Sequence, residues 1–403
     1  VEFKGAGFLT TNSVFHAKRF HSGAHKPAPF TKIVKSAAPT TDRTDRMTMV
    51  PEMTYTSGIQ FNMEDYMAAA SSHGQPTPER FFNAVNAYEQ SDAIKAAIEL
   101  EIFTAIAEGN TTAAAIAKRC AASERGVRIL CDFLAIHEFL TKEGTQYGLP
   151  ADSALFLNQH SPAYLGGSVE FLLTPRIREA HVRLTEAVRR GGTALGEGNL
   201  VNENPDWVKF ARVMMPIMHM PAEMMAGEVR KGGEVSKVLD IAAGHGIFGI
   251  AVAKQNPSAQ IYAADWKNVL EVATHNAQAM GVSDRYHLIP GSAFETDFGG
   301  GYDLALVMNF LHHFDPPTCT TFMRKVHASL KPGGRAVIGE FVPNPNRVTP
   351  PTAAAFNMMM LATTPGGDAY TFAELESISK DSGFSRVELG PEIGLDRLVV
   401  AYK

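Results

Sequence analysis

The chain has 403 residues, 45% hydrophobic and 20% charged, with a formal net charge of −5, which is enough for two or three globular domains with a large core. No apolar run approaches the roughly 18 residues of a membrane span, so no transmembrane helix and no membrane partner is expected. Three cysteines, Cys120, Cys131 and Cys319, show no C-x-x-C spacing; they exclude a disulfide framework and favour a reducing, cytoplasmic setting.

Residues 1–46 are rich in Lys, Arg, His, Ser and Thr and carry a net +5, which leaves −10 on the rest. Two expectations stand for this segment: an untrimmed leader with Met47 as the natural start, or an organelle transit peptide. A polar arm follows over 47–75. The acidic body argues against nucleic acid as a partner.

Thr77, Pro78 and Glu79 predict a helix start: a capping hydroxyl, Pro at the first helical position and an acid in the first turn. Apolar spacing through Val85, Tyr88, Ile94, Ile98 and Phe103 carries this helix to about Ala107. Two short helices, Thr112–Cys120 and Ser123–His137, precede a hairpin over 140–149 with a glycine corner. Helix, turn, helix, hairpin is a winged-helix pattern, which serves either DNA binding or dimerisation. The second helix carries Arg125 and Arg128, but Val127, Ile129, Leu130, Phe133, Leu134 and Ile136 make most of its surface apolar. That composition favours a packed, structural helix over one lying in a groove. Long helices are expected over 175–190 and 205–230, joined by a flexible glycine-rich connection at 191–198.

From Lys237 onward apolar runs at 238–243, 260–264, 285–289, 303–308 and 335–340 alternate with helical segments, which predicts a parallel, doubly wound α/β sheet. Segments 388–389 and 398–402 predict an antiparallel hairpin at one edge. The first run ends Val238-Leu239-Asp240-Ile241-Ala242-Ala243-Gly244-His245-Gly246. Gly244 and Gly246 form a tight turn into a helix, an arrangement that lets backbone approach a nucleotide-like ligand. Gly249 completes a G-x-G-x-x-G spacing, so a nicotinamide enzyme is one reading. Asp240 beside the turn argues for a cationic sulfonium or ammonium instead of a pyrophosphate, which favours S-adenosylmethionine. Asp265 ends the second run about 20 residues beyond the glycines, where a carboxylate can accept from ribose hydroxyls.

Ligands of an open α/β sheet sit at the carboxyl ends of the strands. That rule places Asp240, Asp265, Ser292 to Phe294, Asn309 to His312 and Glu340 on one rim. His312 could be a general base, a metal ligand or a helix-capping residue. No His or Cys lies nearby at ligand spacing, so no metal is expected, and Asp315 caps the helix opened by Pro316-Pro317. A base near neutral pKa suits deprotonation of a hydroxyl, with Glu340 orienting the imidazole.

The glycine turn, Asp265, Leu311-His312-His313-Phe314, Lys331-Pro332-Gly333-Gly334 and Gly339-Glu340 together resemble the class I S-adenosylmethionine-dependent O-methyltransferases of the small-molecule type. The likeness spans about residues 80–403. It implies an α/β Rossmann-like methyltransferase domain over 236–403, preceded by a mainly α winged-helix dimerisation domain over 76–190 and a linker with a connecting helix over 191–235. It further implies a homodimer. S-adenosylmethionine is the implied cofactor, with S-adenosylhomocysteine as product, and a small-molecule hydroxyl, aromatic in character, is the acceptor. By the same resemblance His312 is the general base and Glu340 one of two carboxylates flanking it. Asp240, Gly244, Gly246, Asp265, Trp266, Ser292, Ala293, Phe294 and Asn309 hold the cofactor, and Phe210, Met214 and Met360 wall the acceptor.

Three positions depart from the family pattern. Ser292 stands where an adenine-contacting acid is usual, Met308 where plant members have Lys, and Ala369 where the second flanking Glu falls. Asp368 and Tyr370 are candidates to replace that Glu. Methylation of a small thiol or thioether is the alternative that would need no complete carboxylate pair. A DNA-binding regulator with an α/β sensing domain is the alternative of another class. The remaining methionines of 214–225 and 358–360 read as core filler.

Overall fold

The structure is a computed structural model and describes residues 76–403; the leader and arm expected over 1–46 and 47–75 lie outside the described residues. Helix α1 (Glu79–Glu99) starts at Pro78 without a side-chain cap, so the bond expected from Thr77 is not made. Helix α2 (Ile102–Ala107) is separated from α1 by Glu101 in a left-handed conformation at φ 57°, which breaks the single helix that the apolar spacing predicts. Helices α3 (Ala113–Arg119) and α4 (Glu124–Ile136) open on Thr112 and Ser123, whose hydroxyls accept from the Ala115 and Gly126 amides at 3.3 and 3.0 Å. Strands β1 (Thr141–Glu143) and β2 (Gln146–Gly148) pair antiparallel around Gly144 at φ 59°. Ile102, Phe103, Ile116, Val127, Leu134 and Tyr147 close one buried cluster beneath them. Each such side chain contributes about 1.5–3 kcal/mol when fully buried.

Four helices follow: α5 (Ala151–Phe156), α6 (Val169–Leu172), α7 (Pro175–Val182) and α8 (Leu184–Arg190). The helix expected over 175–190 is thus two, divided at Arg183. The helix expected over 205–230 is likewise two, α9 (Pro205–Val213) and α10 (Met215–Lys231), with the break at Met214. The cause is Pro216 in the first turn of α10, which has no N–H to give the preceding turn and whose ring would clash with it.

The sheet contains β3 (Lys237–Ile241), β4 (Gln260–Asp265), β5 (Tyr286–Pro290), β6 (Tyr302–Met308), β7 (Leu330–Glu340), β8 (Arg386–Ile393) and β9 (Asp396–Tyr402) in the order β5-β4-β3-β6-β7-β9-β8. The first five are parallel; β9 runs antiparallel to both β7 and β8. Helices α11 (Ile247–Gln255), α12 (Lys267–Ala279), α13 (Pro316–Ser329), α14 (Pro351–Thr363) and α15 (Phe372–Asp381) complete the domain. Strand β7 begins at Leu330 instead of 335, because Leu330 already pairs with Tyr302 before a register shift across the Pro332-Gly333-Gly334 turn. The chain passes from β3 outward to β4 and β5, then returns to place β6 on the other side of β3. That reversal opens a crevice at the carboxyl ends of β3 and β6. Helices α7 and α8 pack on α14, and α6 packs on α9, so the segment after the hairpin lies against the catalytic half.

Candidate active site

Backbone conformation at the end of β3 explains the glycines. Gly244 and Gly246 take φ 59° and 76°, the left-handed region that L residues rarely adopt. A Cβ on Gly246 would also fall 2.6 Å from the Tyr286 hydroxyl. Gly249 answers a different need. Asp240 Oδ2 accepts from the Gly249 amide at 3.1 Å, and a Cβ on Gly249 would meet that oxygen at 2.6 Å and Ile261 at 2.8 Å. The third glycine of the G-x-G-x-x-G spacing therefore makes room for a carboxylate, and no pyrophosphate is needed to account for it.

Asp240 is only 2% exposed, and burial pushes its carboxyl up to about 7 against the lowering pull of the Gly249 amide. In this position Asp240 holds the first turn of α11 through the Gly249 amide. Asp265 accepts from the Gly244 amide at 2.8 Å through Oδ2 and from the Trp266 amide at 2.6 Å through Oδ1. Burial raises its carboxyl to about 6. Trp266 is the residue before α12 and sits beside this carboxylate. Ser292 Oγ accepts from the Phe294 amide at 3.3 Å. Lys325, which the sequence reading did not single out, pins the same loop by donating to the Ala293 and Phe294 carbonyls at 2.9 and 3.0 Å. Phe294 packs among Phe310, Phe314 and Phe322.

Across the crevice His312 and Glu340 are 4% and 1% exposed. Glu340 Oε1 accepts from the backbone amides of Phe310, Leu311 and His312 at 3.0, 2.7 and 3.4 Å. Its Oε2 lies 2.5 Å from His312 Nδ1. An ionised Glu340 accepts on both oxygens, an arrangement that suits the His312 tautomer with its proton on Nδ1. The lone pair is then on Nε2. Asp315 caps α13 as expected, accepting from the Thr318 amide at 2.9 Å.

Ala369 is fully buried, and its amide donates to Asn357 Oδ1 at 2.6 Å. Neither candidate replacement for the second carboxylate is free. Asp368 pairs with Arg347 at 3.3 Å, and the Tyr370 hydroxyl donates to the Phe314 carbonyl. Met308 is buried, and Gly339 leaves space for its methyl group.

Phe210 stacks over His245 of the glycine turn at 6.0 Å and meets Phe171 edge-on at 5.1 Å. His245 is itself held neutral, since burial lowers its pKa to about 4. Met214 and Met360 are buried at 8% and 2% exposure. The residue of α14 that touches His312 is Phe356, one turn before Met360, with its ring 4.9 Å from His312 and stacked at 4.0 Å on Phe341. His313 lies 4.3 Å from His312 and 5.3 Å from Trp207, and burial drives its pKa well below the usual imidazole value. Phe341, Phe356 and Trp207 were missed from the sequence, and His313 was read there only as part of the Leu311-His312-His313-Phe314 motif. Trp207 had a signal, since it is one of two tryptophans and falls three residues before Phe210 on the same helix. Met220, Met224 and Met358 are exposed, not core filler.

The rim fits S-adenosylmethionine. It combines a glycine turn, two buried carboxylates that lower the cost of bringing in a cation, and a buried Asn309 Oδ1 without a partner among the described residues.

The O-methyltransferase domain model matches residues 183–385, and the O-methyltransferase dimerisation domain model matches residues 82–159. A Nostoc punctiforme protein solved as a suspected O-methyltransferase shares 50% identity, with a TM-score of 0.79, over 81% of this chain and all of its own. The structure of PigF with S-adenosylhomocysteine shares 25% identity, with a TM-score of 0.73, over 81% of this chain and all of its own. The 3-hydroxy-5-methyl-1-naphthoate 3-O-methyltransferase of Streptomyces sahachiroi is 26% identical over 80% of this chain and 94% of that protein. The chain belongs to the O-methyltransferase family and is an S-adenosylmethionine-dependent methyltransferase with a Rossmann-like catalytic domain.

Proposed function

We propose that this enzyme methylates a hydroxyl of a small aromatic acceptor, with His312 Nε2 taking the hydroxyl proton as the oxygen attacks the methyl carbon. The observation that carries the reading is the buried His312–Glu340 pair, in which the carboxylate lies 2.5 Å from Nδ1 as its hydrogen-bond acceptor and leaves Nε2 for the acceptor's proton. A thioether acceptor has no proton to give up, so a built proton acceptor favours a hydroxyl over a thioether. The aromatic character follows from the rings around the base, Phe341 and Phe356 against His312 and Trp207 against His313. Collinear approach of oxygen, carbon and sulfur depends on such positioning, which supplies much of the acceleration in reactions of this kind. The methyl group and the sulfonium leaving group come with the cofactor. What the chain itself does is orient the acceptor, exclude water and move the proton.

The test is His312→Ala assayed for transfer of labelled methyl to a panel of hydroxylated aromatics, with 3-hydroxy-1-naphthoates first because the Streptomyces sahachiroi relative acts on one. Turnover should fall about a hundred- to ten-thousandfold, the range of general-base contributions, with S-adenosylhomocysteine affinity unchanged. Undiminished turnover would remove His312 as base.

The same reading includes a homodimer. Phe81, Phe82, Val85 and Tyr88 form a row on α1, each more than half exposed, in the region matched by the dimerisation model. Nucleic acid is not a partner in this reading, since Arg128 and Lys142 on the winged-helix face are both tied up in ion pairs with Asp132, which removes half of their charge. Phe82→Glu with Tyr88→Glu should convert the protein to a monomer in analytical ultracentrifugation, and an unchanged sedimentation coefficient would reject this interface.

A further inference from the structure

The carboxyl end of β6 carries a side-chain amide whose two ends differ in their surroundings. Asn309 has φ 52°, a left-handed conformation that asparagine tolerates, and its backbone N–H donates to the Gly339 carbonyl at 2.8 Å. Its Nδ2 donates to Asp396 Oδ2 at 2.8 Å. Its Oδ1 is buried and has no partner among the described residues. Asp396 opens β9, is 3% exposed, and lies one residue before the cross-strand partner of Glu340.

An ionised carboxylate can only accept, so Asp396 admits the NH2 end of Asn309 and refuses the oxygen. The amide orientation is thereby fixed. A buried carbonyl oxygen without a donor costs about 1–3 kcal/mol, so this oxygen calls for a donor from outside the chain. Val307 pairs with Ile241, which puts Asn309 on the same rim as the glycine turn. The other acids of that rim are engaged: Asp240 by Gly249, Asp265 by Gly244 and Trp266, Glu340 by three amides and His312. The ammonium of the cofactor's amino-acid tail is a donor with no accepting capacity, and Asn309 Oδ1 is the unengaged acceptor that matches it.

We propose that Asp396, from the C-terminal hairpin, is a positioning residue for the cofactor: through Asn309 Nδ2 it fixes the amide so that Oδ1 is the end left to accept from the cofactor's ammonium group. The inference rests on the reading that this rim holds S-adenosylmethionine. Burial raises the Asp396 carboxyl to about 6, so it is ionised at neutral pH and the orientation holds there.

Calorimetric titration of the full chain with S-adenosylhomocysteine and with 5′-methylthioadenosine, which lacks the amino-acid tail, tests this. Asp396→Ala should weaken S-adenosylhomocysteine about tenfold, the low end for a hydrogen bond to a charged group, and leave 5′-methylthioadenosine within about twofold. In an Asn309→Ala background the same substitution should have no further effect, because Asp396 acts through that side chain. Should Asp396→Ala not fold, Asp396→Asn carries the test. Its amide can meet Asn309 by either end, so a loss of about two- to fivefold is expected for S-adenosylhomocysteine alone. Equal weakening of both ligands, additive losses in the double variant, or no loss would overturn the proposal. A wild-type chain that bound neither ligand would overturn the rim reading beneath it.

Discussion

Replacing Glu340 with Gln would separate the geometry around His312, the proposed base, from the charge beside it. The glutamine has two orientations. In one, its oxygen keeps the amides of Phe310, Leu311 and His312, and its NH2 faces His312 Nδ1. In the other, its NH2 would face those three N–H groups, now 2.7 to 3.4 Å from Glu340 Oε1. Each buried donor left unpaired costs about 1–3 kcal/mol, so the first orientation wins. There the imidazole must accept at Nδ1, which moves its proton to Nε2 and blocks the lone pair the reaction needs. A wrong tautomer in an otherwise intact dyad lowers turnover about ten-thousandfold in the best-studied parallel, a serine protease, equivalent to about 5 kcal/mol of barrier. We expect a loss of about a thousand- to ten-thousandfold in kcat for methyl transfer, with S-adenosylhomocysteine affinity within about twofold of wild type. Nitrogen-15 spectra of labelled histidine should show the His312 proton moving from Nδ1 to Nε2. Turnover within about tenfold of wild type with the proton on Nε2 would refute His312 as the base, and a proton still on Nδ1 would refute the orientation argument.

Two further outcomes follow from the cofactor side. Asp240 in the folded protein is raised from 3.8 to about 7, so the folded state binds a proton that the unfolded state has released between those values, and ligand-free stability falls as pH rises across that window. Asp240→Asn should flatten the slope of Tm against pH between about 4 and 7, and an unchanged slope would show that Asp240 is not the buried acid responsible. Gly249→Ala places a methyl 2.6 Å from Asp240 Oδ2. The overpacking cost of about 1–3 kcal/mol outweighs the gain in helix propensity of up to about 1 kcal/mol, so the melting temperature should drop by several degrees in calorimetry, and a rise would show that the turn yields freely.

Much of the catalytic half could be read along the chain because a parallel strand declares its own end. Apolar runs stop where the sheet stops, so Asp240, Asp265, Asn309 and Glu340 could be placed on one rim before any coordinates. His312 and Glu340 are 28 residues apart in sequence, yet each sits at the end of a neighbouring strand, and that sufficed. Asp396 could not be reached this way. It is 87 residues from Asn309 and starts an antiparallel edge strand, whose beginning lies at the rim where the parallel strands finish. Phe341 and Phe356 were missed because an aromatic residue after a strand or on an apolar helix looks the same whether it packs in a core or faces a base. The broken helices at Glu101 and Arg183 show a further limit: hydrophobic spacing continues across a single left-handed or poorly helical residue, and only backbone conformation shows the break.

An acid at the end of a strand takes different roles according to the amides it meets. Both oxygens of Asp265 take amides from the turns around it, from Gly244 and from Trp266, so it serves first to hold two loops at one separation. Asp240 takes an amide from α11 and is so deeply buried that its charge is held at a cost. Glu340 collects all three amides of the 310–312 turn on a single oxygen and keeps the second for the imidazole. That division is what makes it fit for positioning a base: one oxygen anchors the turn that carries His312, and the other fixes the ring of the same residue. A displacement of Glu340 would therefore move the backbone and the imidazole of His312 together. Ala369 in place of a second carboxylate is consistent with this arrangement, because a single glutamate already sets both the position and the tautomer of the ring.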